Sequence, residues 1–368
     1  MWPYWILFLI PALTAVAAKP VQNLRADGTR SVKIDGIWML VLLLIALMIG
    51  FRDRVGGDWY NYVRHLFEAE FLTISEAVRM SDPAYNILNI VSLDLGLGIV
   101  GVNLFCGIVF ATGLIIYSRS MTRPWLALAV SIPYMTIVVS MGYSRQGVAL
   151  GFAMIGLVAL GRQRLLWFIF WIFVAATFHR SAVVLIGITL LTKNFRNFKN
   201  LPLLLIVAFF MYTALIEGTT DQIVEQYLEN EMQSDGAFVR LLMNVVPAIL
   251  LIIYRNRLSV SESERKIYLV MAFLSICAFL ALVVGAFPST ALDRISLYLI
   301  PLQLFVFANL PDAFGRFEGQ KQAVVVAILF YYALVLFVWL NFANFSGWWQ
   351  PYRMFPPLDI EEVYYMRR

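Results

Sequence analysis

Long runs of apolar residues constrain the fold of this chain more than any other feature of its sequence. A helix that crosses a bilayer needs roughly 20 mainly apolar residues, because backbone groups in hydrocarbon must be hydrogen-bonded within the segment. About twelve such runs are present, which predicts an all-α polytopic integral membrane protein with additional re-entrant or interfacial outer helices. The runs lie near residues 2–18, 36–50, 99–118, 125–142, 144–161, 165–178, 179–192, 201–217, 236–254, 267–287, 291–310 and 323–342.

Composition agrees with a bilayer as the main solvent. Of the 368 residues, 61% are hydrophobic and 14% are charged, whereas a soluble domain is about half apolar and about a quarter charged. No repeat of fixed period and no low-complexity linker divides the sequence. We therefore expect one transmembrane domain, residues 1–368, with outer loops 51–98 and 218–236 and the tail 343–368 over a functional site.

The charge of the loops predicts the orientation, because cytoplasmic loops collect Lys and Arg. Six loops together hold 17 basic and 6 acidic residues, while the rest of the chain holds 11 and 17. For the spans to alternate, residues 84–118 must cross once, with 84–98 as a half-span or re-entrant helix on the outer side. The loops predicted to be inside are 19–35, 119–124, 162–164, 193–200, 255–266 and 311–322.

The residue types that serve metal, redox and nucleotide chemistry are scarce. Cys106 and Cys277 both lie inside apolar runs, and His65 and His179 are the only histidines. No CxxC, HExxH, GxxxxGK[ST] or GxGxxG string is present. These absences remove support for a disulfide framework, a zinc hydrolase, an ATPase or a Rossmann enzyme, and we expect neither metal nor cofactor.

Seven arginines stand at the predicted outer ends of spans, against the charge trend of that side. Each either snorkels to water or faces a polar cavity, because a guanidinium in hydrocarbon costs several kcal/mol. Seven together favour a shared anionic ligand. A planar guanidinium matches phosphate oxygens in bidentate fashion, so a diphosphate is the predicted ligand. These residues are Arg52, Arg54, Arg145, Arg180, Arg240, Arg294 and Arg353.

The segment FRDRVGGDWYNYVRHLF, residues 51–67, combines arginines, carboxylates and aromatic rings directly after the second span. Gly56 and Gly57 allow the chain to turn or to approach a ligand closely, and Asp58 follows them. This combination is typical of a sugar-phosphate site. The alternative is a re-entry turn in which Asp53 and Asp58 neutralise the neighbouring arginines and the tyrosines belong to the interfacial aromatic belt.

Two further segments place polar residues at predicted outer helix ends. In MGYSRQGVALGF, residues 141–152, Arg145 and Gln146 precede a GxxxG spacing that is typical of a helix-packing face. In TFHRSAVVLIG, residues 177–187, His179 stands at the tip of a hairpin. A histidine there either exchanges a proton near neutral pH or caps a helix end.

Three segments of the second half of the chain complete the candidate site. STALDRISLYLIPL, residues 289–302, brings Asp293 and Arg294 to a span entrance, either for a ligand or as a mutual ion pair. SGWWQPYRMFPPLDI, residues 346–360, adds aromatic rings. The loop 218–236 has apolar and acidic residues on opposite helical faces, which predicts an amphipathic helix on the membrane surface over the cavity.

Taken in order, the strings FRDRVGGDWYNY, DPAYNILN, SRQGVALGF, FHRSAVVL, DRISLYL and WWQPYR resemble the EpsG-like family of Wzy-type polysaccharide polymerases. The resemblance spans nearly the whole chain. It implies a metal-independent glycosyltransferase of GT-C-related architecture, which joins repeat units carried on undecaprenyl diphosphate at the outer face of the bacterial inner membrane. The family's motif positions are occupied here by Arg52, Gly57, Asp58, Tyr62, Arg145, Gln146, His179, Arg294, Pro351 and Tyr352.

The predicted reaction is displacement at the anomeric carbon of one lipid-linked glycan by a hydroxyl of another, with undecaprenyl diphosphate as the leaving group. Electrostatic stabilisation of developing charge usually dominates such catalysis, and cationic side chains supply it. The residues predicted to bind the diphosphate are Arg52, Arg54, Arg145 and Arg294.

The same reaction needs a proton acceptor and contacts to sugar. Asp58 or His179 is predicted to accept the hydroxyl proton, and Asp58 is preferred for its surroundings in the sequence. Aromatic side chains stack on sugar rings, although an aromatic belt is the alternative role for them. The predicted sugar-binding residues are Tyr60, Tyr62, Gln146, Trp348, Trp349 and Tyr352.

Other classes of membrane protein remain open. An O-antigen-type ligase uses the same donors, and a glycan acyltransferase would need a site centred on His179. A transporter of lipid-linked glycans would show inverted repeats and charges along a full path, and a structural subunit leaves the arginines unexplained. The expected substrate is an undecaprenyl-diphosphate-linked oligosaccharide in the membrane. A chain-length regulator and a flippase are candidate partners, and no nucleic acid is expected.

Overall fold

The computed structural model describes residues 1–21, 34–192 and 236–355, and the regular structure in these ranges is helical. The α-helix Pro124–Ser131 continues as a π-helix over Ile132–Ser140, and 3-10 helices cover Arg180–Leu185 and Ser346–Trp349. The α-helices are α1 (Trp2–Ala17), α2 (Gly36–Gly50), α3 (Trp59–Ala69), α4 (Ile74–Arg79), α5 (Pro83–Asp94), α6 (Gly98–Ser118), α7 (Pro124–Ser131), α8 (Ser144–Gly161), α9 (Leu165–Phe178), α10 (Ile186–Leu191), α11 (Ala237–Tyr254), α12 (Glu262–Val283), α13 (Ser289–Leu297), α14 (Pro301–Phe314) and α15 (Glu318–Phe342).

Five of the described helices, α6, α8, α11, α12 and α15, are long and apolar enough to cross a bilayer. α13 and α14 together form a sixth candidate. α1, α2, α9, the α7 segment with its π-helix, and residues 180–189 are apolar but shorter, at 10–17 residues each. The predicted class, an all-α multi-pass membrane protein, is confirmed, whereas about twelve crossings and a GT-C-related architecture stay predictions.

Local sequence explains several helix boundaries. The Asp35 carboxylate accepts hydrogen bonds from the backbone N–H groups of Ile37 and Trp38 and so caps α2. Ser261 and Glu264 form a capping box at the start of α12. Such caps satisfy backbone donors that have no partner inside the first helical turn.

Glycines allow α8 to lie unusually close to its neighbours. A Cβ on Gly113 of α6 would overlap the backbone carbonyl of Gly151 of α8, and a Cβ on Gly151 would lie 2.8 Å from the Cα of Phe110. A Cβ on Gly147 would lie 3.0 Å from the Cα of Ser140. The GxxxG spacing is therefore a packing face, as predicted, and this packing fixes where the first turn of α8 stands.

The predicted span 291–310 is interrupted. α13 ends at Leu297, α14 begins at Pro301, and the two helices meet at 51°. Proline cannot donate a backbone hydrogen bond, so a helix readily starts at it and does not easily continue through it. The break sets the direction of α13 apart from that of α14 beside the functional cavity.

Most of the segment 84–98 forms a short helix of its own, α5. It ends at Asp94, and Gly96 in the turn and Gly98 at the start of α6 take left-handed φ values of +69° and +52°. How α5 lies in the bilayer stays a prediction. The predicted span 201–217, nearly all of loop 218–236 and the end of the tail fall outside the described residues.

The chain segment after α15 forms hydrogen bonds with three other parts of the molecule. The indole N–H of Trp349 donates to the carbonyl of Ile137 over 2.8 Å, and the Trp349 carbonyl accepts from the Tyr4 hydroxyl over 2.7 Å. The Tyr352 hydroxyl donates to the carbonyl of Met48 over 2.9 Å. Residues 346–355, called the C-terminal clip below, thus hold α1, α2 and the π-helix together.

Candidate functional site

A polar cavity of about 420 Å³ lies where α8 and α11 begin and α9 ends. The charge of the loops predicts that these helix ends lie on one side of the membrane. Four arginines, three aspartates and one histidine contribute to its wall. The described residues that line it are Asp58, Tyr62, Ser81, Asp82, Tyr134, Val138, Tyr143, Arg145, Gln146, His179, Arg180, Arg240, Thr290, Asp293, Arg294 and Leu297.

Asp82 is the most connected acid of the cavity. It precedes α5 with a left-handed φ of 57°, which aspartate tolerates better than most residues, and it is only 3% exposed. Its Oδ2 accepts from Nη1 of Arg145 over 3.1 Å and lies 3.6 Å from Nδ1 of His179. Its Oδ1 accepts from the backbone N–H of Arg180 over 3.1 Å. One carboxylate thus joins α5, α8 and the turn after α9.

These contacts also set the ionisation of Asp82. Burial by itself would raise the pKa of Asp82, but the interactions with His179, Arg145 and the backbone of Arg180 outweigh burial, and its pKa lies below the ordinary value. Asp82 is therefore a carboxylate at neutral pH and balances the positive charges beside it.

The guanidinium of Arg145 is held on several sides. Besides its bond to Asp82, its Cζ lies 5.9 Å from the ring centroids of both Tyr62 and Tyr85. Tyr85 stands three residues after Asp82, one helical turn into α5. Two rings and one carboxylate therefore restrict the orientation of the guanidinium.

Asp82 contacts α8 directly through Arg145, and His179 connects Asp82 to α8 a second time. Its Nε2 lies 3.3 Å from Nε2 of Gln146, and its Nδ1 faces Asp82. Because an ionised carboxylate favours a protonated Nδ1, the Nε2 atom is the acceptor and the Gln146 amide the donor. His179 directly follows Phe178, the last residue of α9, and its predicted proton exchange stays a prediction.

Asp58 reaches the cavity from the start of α3. The side-chain amide of Asn61 donates to its Oδ1 over 3.4 Å. Burial raises the pKa of Asp58, although Asn61 and the charges of Arg145 and Arg294 partly oppose the shift. A carboxylate whose pKa is raised accepts a proton more readily near neutral pH.

The other side of the cavity is built by α11 and α13. Arg240 donates from Nε to Oδ1 of Asp293 over 2.7 Å and from Nη2 to Oδ2 over 2.9 Å. Asp293 thus pairs with a residue of another helix, and the predicted ion pair of Asp293 with its neighbour Arg294 stays a prediction. Arg294 follows Asp293 on α13 and lines the cavity, so both residues belong to the site.

Arg52, a predicted diphosphate ligand, lies elsewhere. Its side chain is fully buried and donates to the carbonyls of Ile49 and Val55, to Oδ1 of Asn103 and to Oγ of Ser144. These bonds satisfy the guanidinium within the protein and connect the end of α2 to α6 and α8. The structure thus gives Arg52 an internal, bracing position.

The predicted residues divide evenly between the cavity and its surroundings. Nε of Arg54 lies 3.8 Å from Oδ1 of Asp53, which is the kind of contact that the re-entry-turn alternative predicted for Asp53 and the neighbouring arginines. Trp349 is buried in the C-terminal clip. Tyr60 and Trp348 are 55% and 48% exposed and contact each other edge to face. Inside the cavity are Asp58, Tyr62, Arg145, Gln146, His179 and Arg294; outside it are Arg52, Arg54, Tyr60, Trp348, Trp349 and Tyr352.

Sequence reasoning did not select Asp82 or Tyr143 as site residues, although both line the cavity. A signal for Asp82 existed, because an aspartate directly before the proline of a helix start is exposed to that helix's N-terminal donors and to its neighbours. Tyr143 immediately precedes α8 and carries no such signal. Among the described residues, no group of three or more His, Cys, Asp or Glu side chains is arranged to hold a metal ion.

The helical fold and the charged cavity define a multi-pass membrane protein with a site at the ends of several apolar helices. The chain belongs to the EpsG family, whose sequence profile matches residues 36–354. No curated protein and no solved structure matches it. Membership of the EpsG family supports a role as a polysaccharide polymerase and, with it, an enzymatic function.

Proposed function

We propose that this protein elongates a polysaccharide by transferring an undecaprenyl-diphosphate-linked glycan onto a hydroxyl of another lipid-linked repeat unit. The observation that carries the proposal is the meeting of four arginines, from α8, α11, α13 and the turn after α9, in one cavity. A diphosphate presents several oxygens to such a group, and guanidinium groups match them in pairs. Family membership supports the same reaction class.

Arg145 and Arg294 are the proposed diphosphate ligands. Arg145 is held in a fixed orientation by its surroundings, so little reorganisation opposes its interaction with the leaving group. Arg294 faces it from α13 across the same cavity. Both would stabilise the negative charge that develops as the bond from the anomeric carbon to the diphosphate oxygen breaks.

Asp58 is the proposed general base. The acceptor hydroxyl oxygen forms a bond to the anomeric carbon, the proton of that hydroxyl passes to the Asp58 carboxylate, and undecaprenyl diphosphate leaves with the electron pair of the broken bond. Asp58 suits this step better than His179, because the two ring nitrogens of His179 face Asp82 and Gln146.

Sugar contacts are proposed for side chains in and beside the cavity. Tyr62 and Gln146 line it. Tyr60 follows Asp58 by two residues and forms an exposed aromatic pair with Trp348, which offers a surface on which a sugar ring can stack. The buried Trp349 is left out of this proposal.

The location of the reaction follows from the charge of the loops. The proposed side is the outer face of the bacterial inner membrane, because the more basic loops belong to the opposite side. The reaction needs no nucleotide-sugar donor, since the lipid diphosphate already activates the glycan. We further propose that it proceeds without a metal ion, with a flippase and a chain-length regulator as working partners.

The test is a reconstituted reaction. The purified protein is incubated with a lipid-diphosphate-linked repeat unit from its own host, with and without a chelator, and the products are separated by size. A ladder of lipid-linked oligomers that survives chelation is expected. Intact substrate without a ladder would contradict polymerisation and favour a ligase, an acyltransferase or a transporter, and a ladder lost on chelation would contradict metal independence alone.

A further inference from the structure

We propose that Asp82 is the positioning residue of this site, which holds Arg145 and the His179–Arg180 turn together as one preformed unit for the diphosphate of the lipid-linked substrate. This inference rests on the proposed function. It assigns a role to the string DPAY at the start of α5, which the reaction scheme above leaves unused.

Asp82 lies in the wall of the cavity with almost no accessible surface. A nearly inaccessible carboxylate is costly to bury unless charged or polar partners compensate it. Its partners come from two elements far apart in sequence, at separations of 63 residues for Arg145 and 98 residues for Arg180. All three line the cavity, so the carboxylate connects parts of the wall rather than a remote core.

Arg145 is oriented by side chains from the start of α5 and from α3. A hydrogen bond from Nη1 to Asp82 fixes one corner of the guanidinium, and its Cζ lies 5.9 Å from the ring centroids of Tyr62 and Tyr85, which are themselves 5.9 Å apart. Asp82 directly precedes α5, and Tyr85 lies in the first turn of that helix. The start of α5 therefore orients Arg145, and the Asp82 carboxylate supplies the directional hydrogen bond.

Asp82 also contacts the turn after α9. Asp82 accepts the backbone N–H of Arg180 and faces Nδ1 of His179, which in turn meets the Gln146 amide. Because Gln146 follows Arg145 on α8, these contacts form a closed ring that runs from Asp82 through His179, Gln146 and Arg145 back to Asp82. Arg145 and Arg180 are thus kept on one wall of the cavity before any ligand arrives, which lowers the ordering cost of binding.

The experiment measures affinity for inorganic pyrophosphate, a probe of the diphosphate site that needs no polymerisation. Titration calorimetry is carried out on the full chain in lipid nanodiscs for the wild type, D82N, R145Q, the double variant and D94N. Asparagine keeps the shape of Asp82 and tolerates the left-handed backbone, so the fold is retained. Asp94 is exposed at the other end of α5 and provides the matched control.

Removing the charge of Asp82 should weaken pyrophosphate binding about 10- to 100-fold, the effect of losing a hydrogen bond to a charged group. D94N should bind like the wild type. If Asp82 acts through Arg145, adding D82N to R145Q should change affinity by less than about threefold, because the group to be positioned is already gone. The unfolding midpoint of each variant is measured in the same nanodiscs.

Either of two results for the variants would overturn the inference: D82N binding within about twofold of the wild type, or losses for D82N and R145Q that multiply in the double variant, as independent structural effects do. Failure of the wild type to bind pyrophosphate would overturn it as well. The oligomer ladder of the preceding section remains a separate readout, since a wild type that polymerises while D82N keeps full affinity refutes the role of Asp82 alone.

Discussion

Arg240 and Asp293 form a two-point ion pair in which both carboxylate oxygens accept from one guanidinium, at 2.7 and 2.9 Å. The pair joins α11 to α13, and α13 also carries Arg294 into the cavity. Four residues after Arg240, the side-chain amide of Asn244 donates to the carbonyl of Ser296 over 2.9 Å, so the same two helices are joined a second time. These hydrogen bonds therefore hold α13, the first part of the interrupted span, in the position from which Arg294 lines the cavity.

Asp293→Asn should lower both stability and activity. The variant loses the negative charge that faces Arg240, and an asparagine amide offers one accepting oxygen where the carboxylate offers two, so the link between α11 and α13 is weakened. We expect a loss of about 1–3 kcal/mol, the cost of losing a hydrogen bond between charged groups. Thermal unfolding in detergent, followed by tryptophan fluorescence, measures it. An unchanged unfolding midpoint together with full polymerisation would contradict the proposed support of α13.

Arg145→Lys should impair polymerisation although the charge is preserved. A lysine ammonium is a point charge and cannot reproduce the planar fork that contacts Asp82 and lies 5.9 Å from the ring centroids of both Tyr62 and Tyr85. We expect a decrease in kcat/KM of about 10- to 100-fold, equivalent to the loss of one or two charged hydrogen bonds. Oligomer ladders from purified protein provide the measurement, and wild-type polymer length and rate in this variant would refute the role.

Asp58→Asn should abolish transfer at every pH, because an amide cannot accept the hydroxyl proton. In the wild type, the rate should rise with pH as Asp58 loses its proton. Since burial raises the pKa of Asp58, the acid limb should lie at a higher pH than an ordinary aspartate would give. Initial rates across pH test both statements. A substantial residual rate in the variant would transfer the role of base to another group.

Trp349→Ala should destabilise the protein far more than Trp348→Ala. Trp349 is 2% exposed and donates to the carbonyl of Ile137, whereas Trp348 is 48% exposed. Removing a buried tryptophan costs about 3–5 kcal/mol, and an exposed one much less. Unfolding midpoints of the two variants give the comparison. Equal midpoints would show that the C-terminal clip does not hold the helices together.

Gly151→Ala should destabilise the helix bundle, because the new Cβ would lie 2.8 Å from the backbone of Phe110 on α6. Overpacking of this kind costs about 1–3 kcal/mol. Gly187→Ala is the matched control, since its Cβ would have no neighbour within 4 Å. Thermal unfolding of both variants decides the matter, and a Gly151 variant as stable as the control would mean that α6 and α8 can separate at little cost.

The sequence by itself determined the class of fold and the boundaries of several long helices. Apolar runs at 36–50, 144–161 and 165–178 coincide with α2, α8 and α9 residue for residue. The reason is physical: a lipid solvent forces long apolar segments into helices, so hydrophobicity along the chain reports them directly. The pattern of arginines at predicted outer helix ends also identified four of the charged groups that line the cavity.

Only the tertiary structure decided which charged residues share a cavity and which brace the protein. Arg52 and Arg145 follow the same sequence logic, yet Arg52 is enclosed by carbonyls and polar side chains while Arg145 faces the cavity. Asp82 becomes the centre of the site through partners 63 or more residues away. Hydrophobicity and charge patterns record how a segment meets its solvent, but the partner of a buried charge depends on which helices pack side by side.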